Sequence, residues 1–81
     1  MSSIGDIIEI LESFRDQAEK MKATSYRMYD DVDGSPDFPD RINRQRMTDH
    51  LWWLHSAAED VSCEAEYAIK VARTTLGEDD Q

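Results

Sequence analysis

Both prolines of this 81-residue chain fall in one stretch, "DDVDGSPDFPDR" (residues 30–41), together with Gly34 and five aspartates. Proline lacks a backbone donor and its ring blocks a continuing helix, while Gly and Asp favour turns. The chain therefore has one place to reverse direction. Its other two glycines, Gly5 and Gly77, stand near the ends. What remains is two long segments with no internal breaker, which restricts the fold to a pair of extended helices.

The first segment, about residues 3–31, reads as a helix. Ser3 is a good N-cap, and Asp6 three residues later completes an approximate capping box that also suits the helix dipole. Apolar positions step by three and four through Ile4, Ile7, Leu11, Phe14, Ala18, Met21, Ser25, Met28 and Val32, with a polar break at Ser25. Ile8, Ile10 and Tyr29 widen this stripe, and Glu9, Glu12, Asp16, Lys20 and Arg27 occupy the far side. The expectation is a helix apolar on one face only. In the second segment, about residues 40–76, Asp37 or Asp40 caps the start and Gly77 follows the end. Its stripe is Met47, Leu51, Leu54, Ala58, Val61, Ala65, Ala68, Ala72 and Leu76. No period-2 alternation signals a strand. The fold class that follows is all-α: an antiparallel two-helix hairpin. It forms one domain over residues 1–77, with a loop over about 32–39 and an acidic tail at 78–81. Arg41, Arg44 and Arg46 oppose the helix dipole, and Asp30, Asp31 and Asp33 across the turn are expected to pair with them.

The second helix carries both tryptophans side by side, in "HLWWLH" (residues 50–55). With the stripe centred between Leu51 and Leu54, Trp53 lies about 115° away and Trp52 about 145°, on opposite sides. Ile42, Cys63, Tyr67 and Val71 collect on that far side. A second apolar face needs a cover, because large exposed patches are rare on monomers. One expectation is a homodimer joined through the second helices into a four-helix bundle. The other is a site for a different macromolecule, since Trp and Tyr dominate binding hot spots. Either way the face comprises Trp52, Trp53, Asp60, Cys63, Tyr67 and Val71. Its acidic rim is Asp49, Glu59, Glu64 and Glu66, with no Lys or Arg between Met47 and Ile69.

Eighteen acidic against nine basic residues give a net charge of −9. Phosphates repel such a chain, so direct nucleic-acid binding is not expected, whereas a basic protein is attracted. A single cysteine allows no internal disulfide and suits a reducing, cytoplasmic setting. No apolar run approaches the roughly 20 residues of a membrane span, and "MSSIGDIIEI" has no basic n-region of a secretory signal.

Catalytic and metal chemistry find little footing. His50 and His55 stand about 140° apart on one helix and cannot chelate together; His55 with Glu59 supplies only two of the ligands that zinc needs. Aligned as a calcium loop, Gly34 takes position 6, with Asp31, Asp33 and Asp40 as ligands. Tyr29 then occupies the first ligand position and Pro36 interrupts the loop. The i,i+3 pair Glu9 and Glu12 resembles that of all-α nucleotide pyrophosphohydrolases, which hold magnesium on Glu-rich helices. Here no matching cluster on the second helix converges on it. Cys63 has no base within its own turn. The expectation is no enzyme, no cofactor and no metal.

The hairpin plan resembles that of small plasmid RNA-binding hairpins, but those present basic faces. It is similar in size to secreted type VII hairpins, but those carry a W-x-G turn, whereas these tryptophans precede Leu54. In profile the chain is similar to phage- or plasmid-encoded inhibitors of nucleic-acid-handling machinery, anti-CRISPR-like proteins included. That similarity implies a small acidic interaction module that occupies a partner's basic surface. A structural or regulatory homodimeric bundle is the alternative, and a metal-dependent pyrophosphohydrolase ranks third.

Overall fold

A computed structural model describes residues 3–77; the acidic tail at 78–81 lies outside the described residues. Two helices make up the fold, α1 (Ile4–Asp33) and α2 (Arg41–Thr75), and no strand occurs among the described residues. They pack side by side as an antiparallel hairpin.

Each helix begins on a side-chain cap. The Ser3 hydroxyl accepts from the Asp6 amide at 3.1 Å, and the Asp6 carboxylate accepts from the Ser3 amide at 3.3 Å, a closed capping box. Asp40 starts α2, its carboxylate accepting from the Ile42 amide at 2.9 Å. The loop is held by Arg44, whose Nε and Nη2 both donate to the Phe38 carbonyl, at 2.9 and 2.7 Å. This corrects the expected pairing of Arg41, Arg44 and Arg46 with Asp30, Asp31 and Asp33. Among the described residues none of these arginines forms an ion pair. Arg44 finds a nearer acceptor in the loop backbone. At the far end Gly77 adopts φ 82°, a left-handed conformation that a Cβ would strain.

The seam differs from the apolar stripes. The buried residues are Ile8, Ala18, Ser25 and Val32 on α1, facing Thr48, Leu51, Ala58, Ser62, Ala65 and Ile69 on α2. Half-buried Leu11, Arg15, Lys22 and Tyr29 complete one ladder, and His55 and Ala72 the other. Positions such as 11, 18, 25, 51, 58 and 65 are common to stripe and seam. The intervening rungs are each shifted by one residue: Arg15 replaces Phe14, Lys22 replaces Met21, His55 replaces Leu54 and Ser62 replaces Val61. Cross-hairpin pairing accounts for the shift. Arg15 Nη1 meets Glu66 Oε1 at 2.8 Å, Lys22 Nζ meets Glu59 Oε2 at 3.4 Å, and Arg73 Nη2 meets Glu12 Oε2 at 2.9 Å. The Ser62 hydroxyl donates to the Glu19 carboxylate. Long Arg and Lys stems lie along the seam edge while their heads reach the opposite helix. Alanines and serines beneath them let the helices approach.

Apolar side chains displaced by this rotation are left outside. Phe14 is 51% exposed and Val61 51%, and Ile7, Met21, Met28 and Leu54 are exposed as well. The single apolar stripe of α1 is thus only partly buried: Ala18 and Val32 face the seam, while Ile7, Phe14, Met21 and Met28 stand outside it. The hairpin measures 56 × 26 × 14 Å, so it is a single layer about one helix thick. Its radius of gyration, 17.6 Å, exceeds the roughly 12 Å of a compact chain of this length.

Candidate interaction surfaces

The slab has two broad faces and two edges, and the expected site residues are divided among them. The closed face carries the cross-hairpin ion pairs. Toward the loop it continues as an aromatic cluster. The Trp52 and His55 rings stack with centroids 5.4 Å apart; Tyr29 meets Trp52 edge-on at 6.4 Å, and Tyr26 tilts against His55 at 5.6 Å. His55 Nδ1 lies 3.1 Å from the Lys22 carbonyl. A carbonyl can only accept, so the proton belongs on Nδ1. The expected acidic-rim residues Glu59 and Glu66 sit on this face and are engaged by Lys22 and Arg15. The Glu66 hydrogen bond, followed by the one to Asp16, raises the Arg15 pKa above its ordinary value.

The tryptophan doublet splits across two sides. A seam centred between Leu51 and His55 places Trp52 about 80° away, toward the closed face, and Trp53 about 180° away. This revises the wheel drawn from the apolar stripe, in which the two flanked one side. Trp52 therefore gains partners within the chain, while Trp53, 70% exposed, stands on the outer edge of α2. At steps of seven from Trp53 come Asp60 and Tyr67, both exposed, and Ile42 and the free thiol of Cys63 lie exposed near the same edge. Asp49, one turn before Trp53 on the same helix, accepts from Gln45 Nε2 at 2.9 Å.

The open face was not singled out by sequence reasoning. Three adjoining hollows run along the groove between the helices. The first is lined by Ile4, Ile7, Leu11, Ala68 and Val71. The second has Leu11, Phe14, Val61 and Ala68, with Asp60 and Glu64 at its margin. The third has Phe14, Met21, Leu54, Ala57 and Val61. Val71 and Glu64, expected beside the tryptophans, thus border this groove. A signal for it exists in the sequence: Ile7, Phe14, Met21 and Met28 recur at every seventh position, and so do Met47, Leu54, Val61 and Ala68. A seven-residue repeat is the mark of helices that supercoil around neighbours.

Chemistry is sparse on all sides. Among the described residues no group of three or more His, Cys, Asp or Glu is placed to hold a metal ion. Glu12 accepts from Arg73 across the hairpin, while its i,i+3 neighbour Glu9 is exposed. Among them, too, no helix is long and apolar enough to cross a membrane. Comparison with protein-family models, with curated proteins and with solved structures finds no match for this chain.

Proposed function

We propose that the chain is a non-catalytic, acidic interaction module that uses the outer edge of α2 to occupy a basic surface of another protein. One observation carries this reading: Trp53 and Tyr67, 70% and 63% exposed, bracket Asp60 on an edge of α2 that has no lysine or arginine from Thr48 to Ala68. An aromatic centre beside carboxylates suits an arginine-rich surface, where guanidinium groups stack on rings and pair with acids. Surfaces that handle nucleic acid are of this kind, and a chain of net charge −9 is steered toward them. In this reading the protein acts by masking, in the manner of phage- or plasmid-type inhibitors, anti-CRISPR-like proteins among them.

The test is a quantitative capture experiment in the native host with the wild-type chain and a Trp53→Ala, Tyr67→Ala variant. A basic protein enriched by the wild type, lost by the variant and displaced by salt supports the proposal. Its nucleic-acid binding should also fall when the wild-type chain is added. Enrichment that is indifferent both to the two substitutions and to salt would count against it, because charge-steered contacts weaken as ionic strength rises.

A further inference from the structure

We infer that the open groove face is a homodimer interface: a second copy of this chain lies on it, with α1 of each copy stacked over α2 of the other and both loops at the same end. The inference is independent of the outer-edge reading above.

Surface area is the first argument. A compact monomer of 9.4 kDa exposes about 5,000 Å², whereas this chain exposes 6315 Å². Two copies merged into a compact body would each cover roughly 2,200 Å². Even the excess over a compact monomer, roughly 1,300 Å², is more than the roughly 800 Å² per partner of a standard interface. Stable domains are built of two packed layers around one core. At 14 Å thick this slab is one layer, and a second copy supplies the other.

Pattern is the second argument. The exposed stripes on α1 and α2 repeat every seven residues along the same face, as expected where each helix packs against two neighbours in a left-handed bundle. They lie on the open face alone; the opposite face is closed by ion pairs. Two such faces are self-complementary under a two-fold axis.

Charge fixes the orientation. The cross-hairpin pairs Arg15–Glu66, Glu19–Ser62 and Lys22–Glu59 set which residues are level along the slab. By that register Asp60 and Glu64 are level with the stretch from Gln17 to Met21. Stacking α2 on α2 would bring the Asp60 and Glu64 carboxylates of both copies together near the middle of the interface. Stacking α1 on α2 instead sets them level with uncharged Gln17 and with Lys20 of the other copy. Among the described residues neither Lys20 nor Arg27 forms an ion pair within the chain.

Sedimentation equilibrium on the whole chain at micromolar concentration should give twice the 9.4 kDa mass. A Phe14→Asp, Val61→Asp variant should weaken association by at least about a hundredfold, since charges would be buried unpaired. A Trp53→Asp, Tyr67→Asp variant should leave the dimer intact. Because the groove variant could lose its fold along with its partner, a second measurement reads the arrangement directly. Spin labels at Asp37→Cys in a Cys63→Ser background should report two loops close together. A folded wild-type monomer overturns the proposal. So does a dimer that survives the groove substitutions but splits on the outer-edge ones. A label separation approaching the 56 Å length of the slab overturns the loops-together arrangement.

Discussion

Trp52 and Trp53 are neighbours in sequence with different physical roles. Trp52 stacks on His55 one turn along α2 and meets Tyr29 of α1 edge-on, so its removal takes away a local contact and one that joins the two helices. Trp53 has none of these ring contacts. Trp52→Ala is expected to lower folding stability by about 1–2 kcal/mol, and Trp53→Ala by less than about 0.5 kcal/mol. Urea denaturation at one fixed protein concentration measures both, and equal losses would refute the split. The doublet's asymmetry could not be read from apolarity alone. It depends on which flank of the shared positions turns inward, and that was settled by Arg15, Lys22 and His55, residues a hydrophobicity pattern counts as outward. His55 itself is held at the seam by its Nδ1, which faces the Lys22 carbonyl.

At the scale of the element, local chemistry was legible and lateral orientation was not. Ser3 with Asp6, Asp40 and Gly77 all mark helix ends by short-range rules that depend on no other part of the chain. The observed helices, Ile4–Asp33 and Arg41–Thr75, accordingly start at those caps. Asp40→Ala removes the side-chain acceptor that caps α2 and should cost about 1 kcal/mol, read as a lowered denaturation midpoint with the slope unchanged. The seam itself is set by close approach. Ala18 is 4% exposed, and Ala18→Leu should destabilise by roughly 1–3 kcal/mol through overpacking. A stabilising result would mean that the seam holds unfilled space. Rotation by one rung was invisible in sequence because Leu11, Ala18, Ser25 and Val32 on α1 serve both stripes equally. Only pairing between residues about 50 apart, such as Arg15 with Glu66, chooses between them.

For the whole molecule, the governing fact is that a single-layer hairpin keeps much of its apolar surface outside. Apolar area removed from water is the main favourable term in folding, and in the proposed dimer a second copy removes it. Folding and association are then linked, so a tenfold rise in protein concentration should raise the melting temperature by roughly 3–5 °C. Differential scanning calorimetry across two decades of concentration tests this, and a melting temperature that stays constant would indicate a self-sufficient monomer. All-α character and a single turn were legible from the breaker pattern. The location of the open face was not, because it is built jointly by two helices.

Ile69, the most deeply buried large side chain at 1% exposure, lies toward the end of the hairpin far from the loop, as does buried Ile8. That end is the costliest to close, since joining Glu12 to Arg73 encloses 61 residues of chain, while Tyr29 and Trp52 meet just beyond the turn. The molecule is thus a long clasp with its fastener at the open end. Trimming the fastener should loosen the hairpin from its termini inward, like a zip released at the collar. In an Ile69→Ala protein, amide hydrogen exchange should quicken first around residues 4–12 and 68–75. Protection beside the loop should persist, and a uniform loss along both helices would show instead that the hairpin opens as one piece.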